Sequence, residues 1–165
     1  MHRPCRFGRW RGRSSQQGAA VAVVIRTIAA EPEAVFRVLA NGWLYPAWVV
    51  GAARMRGVDD AWPEEQSALH HSFGSWPFLL NDKTVSLEWD PPRRARMRAR
   101  GWPIGEAEVI VEVKRRPDGC VVRLTEDAVE GPGRLVPGVI RTIGITIRNR
   151  ETLRRLAFLA EGGGR

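Results

Sequence analysis

Four turn signals divide the stretch from Ser67 to Asp127: GSWP at Gly74–Pro77, DPPR at Asp90–Arg93, GWPIG at Gly101–Gly105 and RPDG at Arg116–Gly119. The segments between them have the length and alternation of β-strands. Their charges then test the register. A hairpin centred near Pro103 sets Arg94, Arg98 and Arg100 opposite Glu112, Glu108 and Glu106. On the other face Ala95, Met97 and Ala99 meet Val111, Val109 and Ala107. A hairpin through RPDG with Arg115 opposite Cys120 sets Glu112 against Arg123, and Val111 and Val113 against Leu124 and Val122. At DPPR a similar choice opposes Glu88 to Arg94 and Leu87 to Ala95. Each opposed charge pair contributes about 0.2–1 kcal/mol. The larger effect is on register, because a slip of one residue would invert both faces. The result is an antiparallel sheet with one charged, self-compensated face and one apolar face that needs a cover. The row Arg94, Arg96, Arg98 and Arg100 is a solvated outer face; its facing glutamates argue against a nucleic-acid groove.

The flanking segments supply the cover. AAVAVVIRTI (Ala19–Ile28) reads as a strand. In EPEAVFRVLANG, Pro32 suits a first helical turn, Glu31 and Glu33 suit the helix dipole, and Gly42 can close the helix. Val35, Val38 and Leu39 share one helical face. WLYPAWV predicts one more helical turn, and VGAARMRGVDD a second strand. From Pro137 to Glu161 the chain predicts one helix of about 35 Å, with an apolar face through Leu153, Leu156, Ala157 and Ala160. Its first half, with Val139, Ile143 and Ile147, also alternates like a strand. The order is β–α–(α)–β₆–α, an α+β chain of about seven strands and one long C-terminal helix.

The formal charge of +8 and pI near 11 suggest a nucleic-acid binder. Yet Arg3, Arg6, Arg9, Arg11 and Arg13 fall within residues 1–18, a segment without any acid. That segment reads as a disordered basic tail, leaving one domain over 19–165. It has no apolar core of a secretory signal, and no stretch of the chain has the eighteen apolar residues of a membrane span. Cys5 and Cys120 make no disulfide framework, so a reducing cytoplasm is the expected setting. No metal-ligand spacing, phosphate-binding glycine loop, nucleophile elbow or Ser/His/Asp set is present, and no cofactor is expected.

The whole order resembles the helix-grip fold of the START-like superfamily, which includes polyketide cyclase/dehydrase and lipid-transfer proteins. The likeness rests on IAAEPEAVFRVLANGWLYPAWV, WDPPRRARMRARG, CVVRLTED and RNRETLRRLAFLAE, and runs from about Val21 to Glu161. It implies a curved sheet gripping the C-terminal helix, with a cavity between them for an apolar molecule. The inner face derived above would line that cavity through Val85, Leu87, Met97, Val109, Val111, Val122 and Leu124. Some members of the superfamily catalyse cyclisation or dehydration; others only carry ligand.

Several residues could act at such a site. Trp43, Tyr45 and Trp48, with Trp76 beyond the next strand, could close its mouth and stack on a flat ligand; they could equally anchor the core. Glu126 falls opposite Val109 on the inner face. Carboxyl groups against apolar walls hold their proton more readily, which suits a general acid. The alternative is a strand-end position reaching water or Arg141. His70 and His71 must point to opposite sides of a regular strand. Leu69, His71 and Phe73 form the more apolar set, so His71 is the inner candidate, as a structural histidine or a proton shuttle. Three functions stay open: a binder of an apolar or aromatic small molecule, a cyclase/dehydratase using His71 and Glu126, and a macromolecular interaction module with a basic arm. Monomer and homodimer are both compatible with the sequence.

Overall fold

The computed structural model describes residues 21–75, 78–101, 105–130 and 138–162. The tail, the tips of the GSWP and GWPIG turns, Trp76 and the helix start at Pro137 lie outside the described residues. Seven strands form one antiparallel sheet: β1 (Val21–Ile28), β2 (Ala52–Val58), β3 (Ala68–Ser75), β4 (Phe78–Asp90), β5 (Arg94–Gly101), β6 (Gly105–Arg116) and β7 (Gly119–Glu130). Their order is β1-β7-β6-β5-β4-β3-β2. Helices α1 (Pro32–Ala40) and α2 (Tyr45–Trp48) separate β1 from β2, and α3 (Gly138–Gly162) closes the chain. At 25 residues, α3 is about 37 Å long. This is the helix-grip arrangement.

The β5–β6 and β6–β7 registers match the charge argument pair for pair, from Arg100↔Glu106 to Arg94↔Glu112 and from Val109↔Glu126 to Arg115↔Cys120. The outer face carries the expected network. Arg94 reaches Glu112 at 3.3 Å and Glu88 at 3.2 Å, Arg96 reaches Glu108 at 3.4 Å, and Arg100 reaches Glu106 at 2.6 Å. The RPDG turn needs its glycine. Gly119 has φ +127°, and a Cβ there would sit 2.3 Å from the carbonyl oxygen of Ile28.

The DPPR hairpin differs from expectation. Asp90 pairs with Arg94, Trp89 with Ala95 and Glu88 with Arg96, and a bulge follows between Ser86 and Glu88. Leu87 is the extra residue. Beyond it Ser86 opposes Met97, Val85 opposes Arg98 and Thr84 opposes Ala99. Val85 therefore shares the outer face with Arg98, and neither Val85 nor Leu87 lines the inner face. The residues that do are Asp82, Thr84 and Ser86, all buried. A bulge inserts one residue and so changes which set of side chains faces inward.

The apolar core fills one end of the space under the helices. It joins Ile28, Val35, Leu39, Ala95, Val111, Val122 and Leu124 to Leu153, Leu156, Ala157 and Ala160 of α3. Trp89 packs against it, with its ring 5.1 Å from that of Phe36. Helix α1 ends at Ala40 with Asn41 as its cap, and Gly42 opens a short 3₁₀ turn. Gly42 is needed for close approach, since a Cβ would meet Leu69 at 2.5 Å.

Candidate functional site

Inner-face side chains change character along the strands. Ala95 and Val111 are wholly buried and Met97 nearly so. Further along the same strands and on the same face, Ala99, Ala107 and Val109 are only half-buried. The sheet's inner face is thus filled near the DPPR and RPDG turns and opens toward the other end, beneath the N-terminal half of α3.

Two polar clusters flank this floor of small residues. The first lies at β3 and β4. His71 opposes Asp82 and is 2 % exposed, with His70 on the opposite side, 3.1 Å from Asp59. The His71 Nε2 lies 3.0 Å from Thr84 Oγ1, and Thr84 Oγ1 lies 2.9 Å from the Tyr45 hydroxyl. The Tyr45 ring covers the imidazole at 5.0 Å. Burial, reinforced by the Arg56 charge and partly offset by the Ser72 backbone, lowers the His71 pKa to about 4. Burial likewise pushes the Tyr45 hydroxyl up to about 12. Both groups are neutral throughout the physiological range. Arg56 holds the outer strand in place by donating to the His71 and Asp82 carbonyls.

The second cluster lies at β7 and α3. Glu126 is buried where the register argument put it, opposite Val109. It does not face apolar side chains alone. Oε2 accepts hydrogen bonds from the Arg148 guanidinium and, at 2.9 Å, from the Asn149 amide. Arg148 supplies the cation that the sequence reading sought in Arg141, whose side chain lies outside the description. Two adjacent helix residues thus anchor α3 to β7 above the open part of the sheet. One turn further on, the Thr152 hydroxyl accepts from the Val50 amide at 3.3 Å.

His71 and Glu126 are both on the inner face, but they stand on strands four positions apart. No hydrogen bond among the described residues joins them. Tyr45 comes between, since Arg148, Glu126 and Asp82 all act on its hydroxyl. Of the aromatic residues expected either at a mouth or in the core, Tyr45 and Trp48 are in the core. Tyr45 and Trp48 are buried against one another, their rings 5.4 Å apart, while Trp43 is 62 % exposed. Val111, Val122 and Leu124 belong to the filled core, Met97 stands at its boundary, and Trp76 is outside the described residues. Thr84, Tyr45, Arg148 and Asn149 escaped the sequence analysis as polar site residues. Their signals were faint: the alternation of Asp82, Thr84 and Ser86, and Asn149 and Thr152 interrupting the apolar stripe of α3. Among the described residues no group of three His, Cys, Asp or Glu could hold a metal ion. No described helix is long and apolar enough to cross a membrane.

A family model described as polyketide cyclase / dehydrase and lipid transport matches residues 19–161. No curated protein matches the sequence. Among solved structures, a Staphylococcus aureus protein of unknown function superposes with a TM-score of 0.71 at 11% identity, covering 89% of this chain and 96% of that one. A Rhodobacter sphaeroides protein gives 0.66 at 18% identity, covering 87% and 95%. The di-domain ARO/CYC StfQ from the steffimycin biosynthetic pathway gives 0.71 at 11% identity, covering 88% of this chain and 52% of that one. Likeness at these identities is likeness of fold.

Proposed function

Because this chain belongs to the polyketide cyclase/dehydrase and lipid transport family, we propose that it binds an apolar or aromatic small molecule between the sheet and the N-terminal half of α3. The observation that supports this is the contrast along β5 and β6. Ala95 and Val111 are sealed, whereas Ala99, Ala107 and Val109 on the same face retain exposure. Small, partly exposed, inward-facing residues leave room for a guest, and burying its apolar surface supplies about 25 cal/mol per Å². The flanking clusters offer uncharged hydroxyl groups on one side and an ion pair on the other, enough to orient a ligand that carries a few oxygens.

Carriage is favoured over chemistry. A proton-transfer enzyme needs groups that titrate near its working pH. His71 at about 4 and Tyr45 at about 12 bracket that range without entering it. Glu126 is held by Arg148 and Asn149. A cyclase or dehydratase using His71 and Glu126 together would need a substrate that bridges the two clusters, since no hydrogen bond among the described residues joins them.

Native mass spectrometry of protein purified from its own host tests the proposal. A retained small molecule is expected, and it should be absent from the double variant Ala99→Leu/Ala107→Leu, whose added side chains fill the floor. That variant should keep its unfolding midpoint. A wild-type protein that carries no ligand and binds none from a panel of apolar aromatic compounds would overturn the proposal.

A further inference from the structure

Strand β1 ends the sheet and pairs only with β7. Among the described residues no backbone hydrogen bond ties its other edge to another element. Its sequence, VAVVIRTI, has no proline and one charge. Val21, Val23 and Ile25 point outward and are 47 %, 41 % and 58 % exposed. Toward α3 the series runs Ala22, Val24, Arg26, and the arginine is exposed where the alternation expects an apolar residue. Across from it α3 presents Arg150 and Leu153. Together Val23, Val24, Ile25, Arg26, Arg150 and Leu153 line a groove of about 350 Å³, open to solvent. No acid lines this groove, and neither arginine has an acidic partner among the described residues.

We propose that this groove takes an extended acidic segment of a partner protein, which adds to β1 as an eighth strand. An open strand edge supplies main-chain donors and acceptors for such an addition. The period of two supplies the selectivity. Carboxylates on the helix-facing side of the incoming strand meet Arg26 and Arg150, while its alternate residues, apolar ones, lie beside Val23 and Ile25. A slip of one residue would put carboxylates on the valines and leave both arginines unpaired. Charge decides against two other occupants. A second copy pairing through β1 would bring the strand VAVVIRTI, whose one charge is another arginine, so Arg26 and Arg150 would gain no carboxylate from it. The chain's own residues 1–18 carry five arginines and no acid. This inference is independent of the ligand proposed for the sheet–helix space.

The test uses the full chain and a fluorescent peptide of alternating Val and Glu, matched in length to β1. Binding is expected by anisotropy, together with slowed amide hydrogen exchange in β1. Arg26→Glu and Arg150→Glu should each weaken binding by about ten-fold, and the double variant should instead prefer a peptide of alternating Val and Lys. That exchange of preference shows that the variants are folded. Equal binding of the Val/Glu and Val/Lys peptides by the wild type would overturn the proposal. So would the absence of binding or of β1 protection, in which case Arg26 only guards the edge. A dimer in sedimentation whose β1 amides are protected without peptide would assign the edge to a second copy.

Discussion

His71 is a buried histidine whose neighbours keep it neutral. Its folded-state pKa of about 4 lies below the ordinary 6.5. Between those values the unfolded chain binds a proton that the native chain does not. The contribution to stability is therefore complete above pH 6.5 and is lost as pH falls toward 4, by about 3 kcal/mol over that window. Urea unfolding at pH 7 and at pH 4.5 should show this loss in the wild type. In His71→Gln, which cannot titrate, the loss should shrink by most of that amount. An unchanged pH dependence in the variant would assign the acid sensitivity to other groups. Glu126 makes the complementary case. Glu126→Ala removes the acceptor shared by Arg148 and Asn149 and leaves a buried amide without its partner. Arg148 is about one-third exposed and can turn to water, so the cost should fall below that of breaking a fully buried pair, at about 2 kcal/mol. A shift of the urea midpoint at constant slope measures it.

At the scale of elements, the strands were legible where charge and apolarity alternate without interruption. Arg94 to Gly101, Gly105 to Arg116 and Gly119 to Asp127 could be registered from sequence because Arg94, Arg98, Arg100 and Arg123 each met a glutamate on one face, and a slip would have set charged residues against apolar ones. The β3–β4 end was not legible in this way. Between Ser67 and Asp90 the acids and bases are too few to fix pairing, and nothing in SLEWD announces that Leu87 stands outside the ladder. Val85 and Leu87 were accordingly placed on the inner face, which belongs to Asp82, Thr84 and Ser86, so Thr84 of the His71 cluster was missed. The α3 stripe was legible through Leu153, Leu156, Ala157 and Ala160, but Asn149 could not be read as a ligand of Glu126 before the helix was placed across β7. Two variants test the elements that were placed correctly. Leu156→Ala empties a fully buried position on α3 and should cost about 2–5 kcal/mol. Gly119→Ala forces a side chain into the Ile28 backbone at positive φ and should cost about 1–3 kcal/mol or more. Thermal or urea unfolding reads both.

For the whole molecule, the described core draws on residues from Ala22 to Ala160. Its connections between distant parts are equally internal. Arg115 at the β6–β7 turn pairs with Glu31 and Glu33 at the start of α1, and Glu161 near the end of α3 accepts from the Ala29 amide at 2.9 Å. Deleting residues 1–18 should leave the unfolding free energy within about 0.5 kcal/mol of the full chain. A larger loss in calorimetry would mean that the basic segment packs on the domain. The bulge at Leu87 has a consequence at this scale too. A bulged residue acts as a phase shift in a two-beat pattern. Loss of its own codon would leave Ser86 opposite Met97, Val85 opposite Arg98 and Thr84 opposite Ala99, because the residue removed is the one outside the ladder. Loss of the codon for Val85, two positions earlier, would instead set Thr84 opposite Arg98 and Lys83 opposite Ala99, and turn the hydroxyl-lined wall beside His71 cationic. Position 87 is therefore where this strand can change length and keep its guest, and position 85 is where one codon changes the wall.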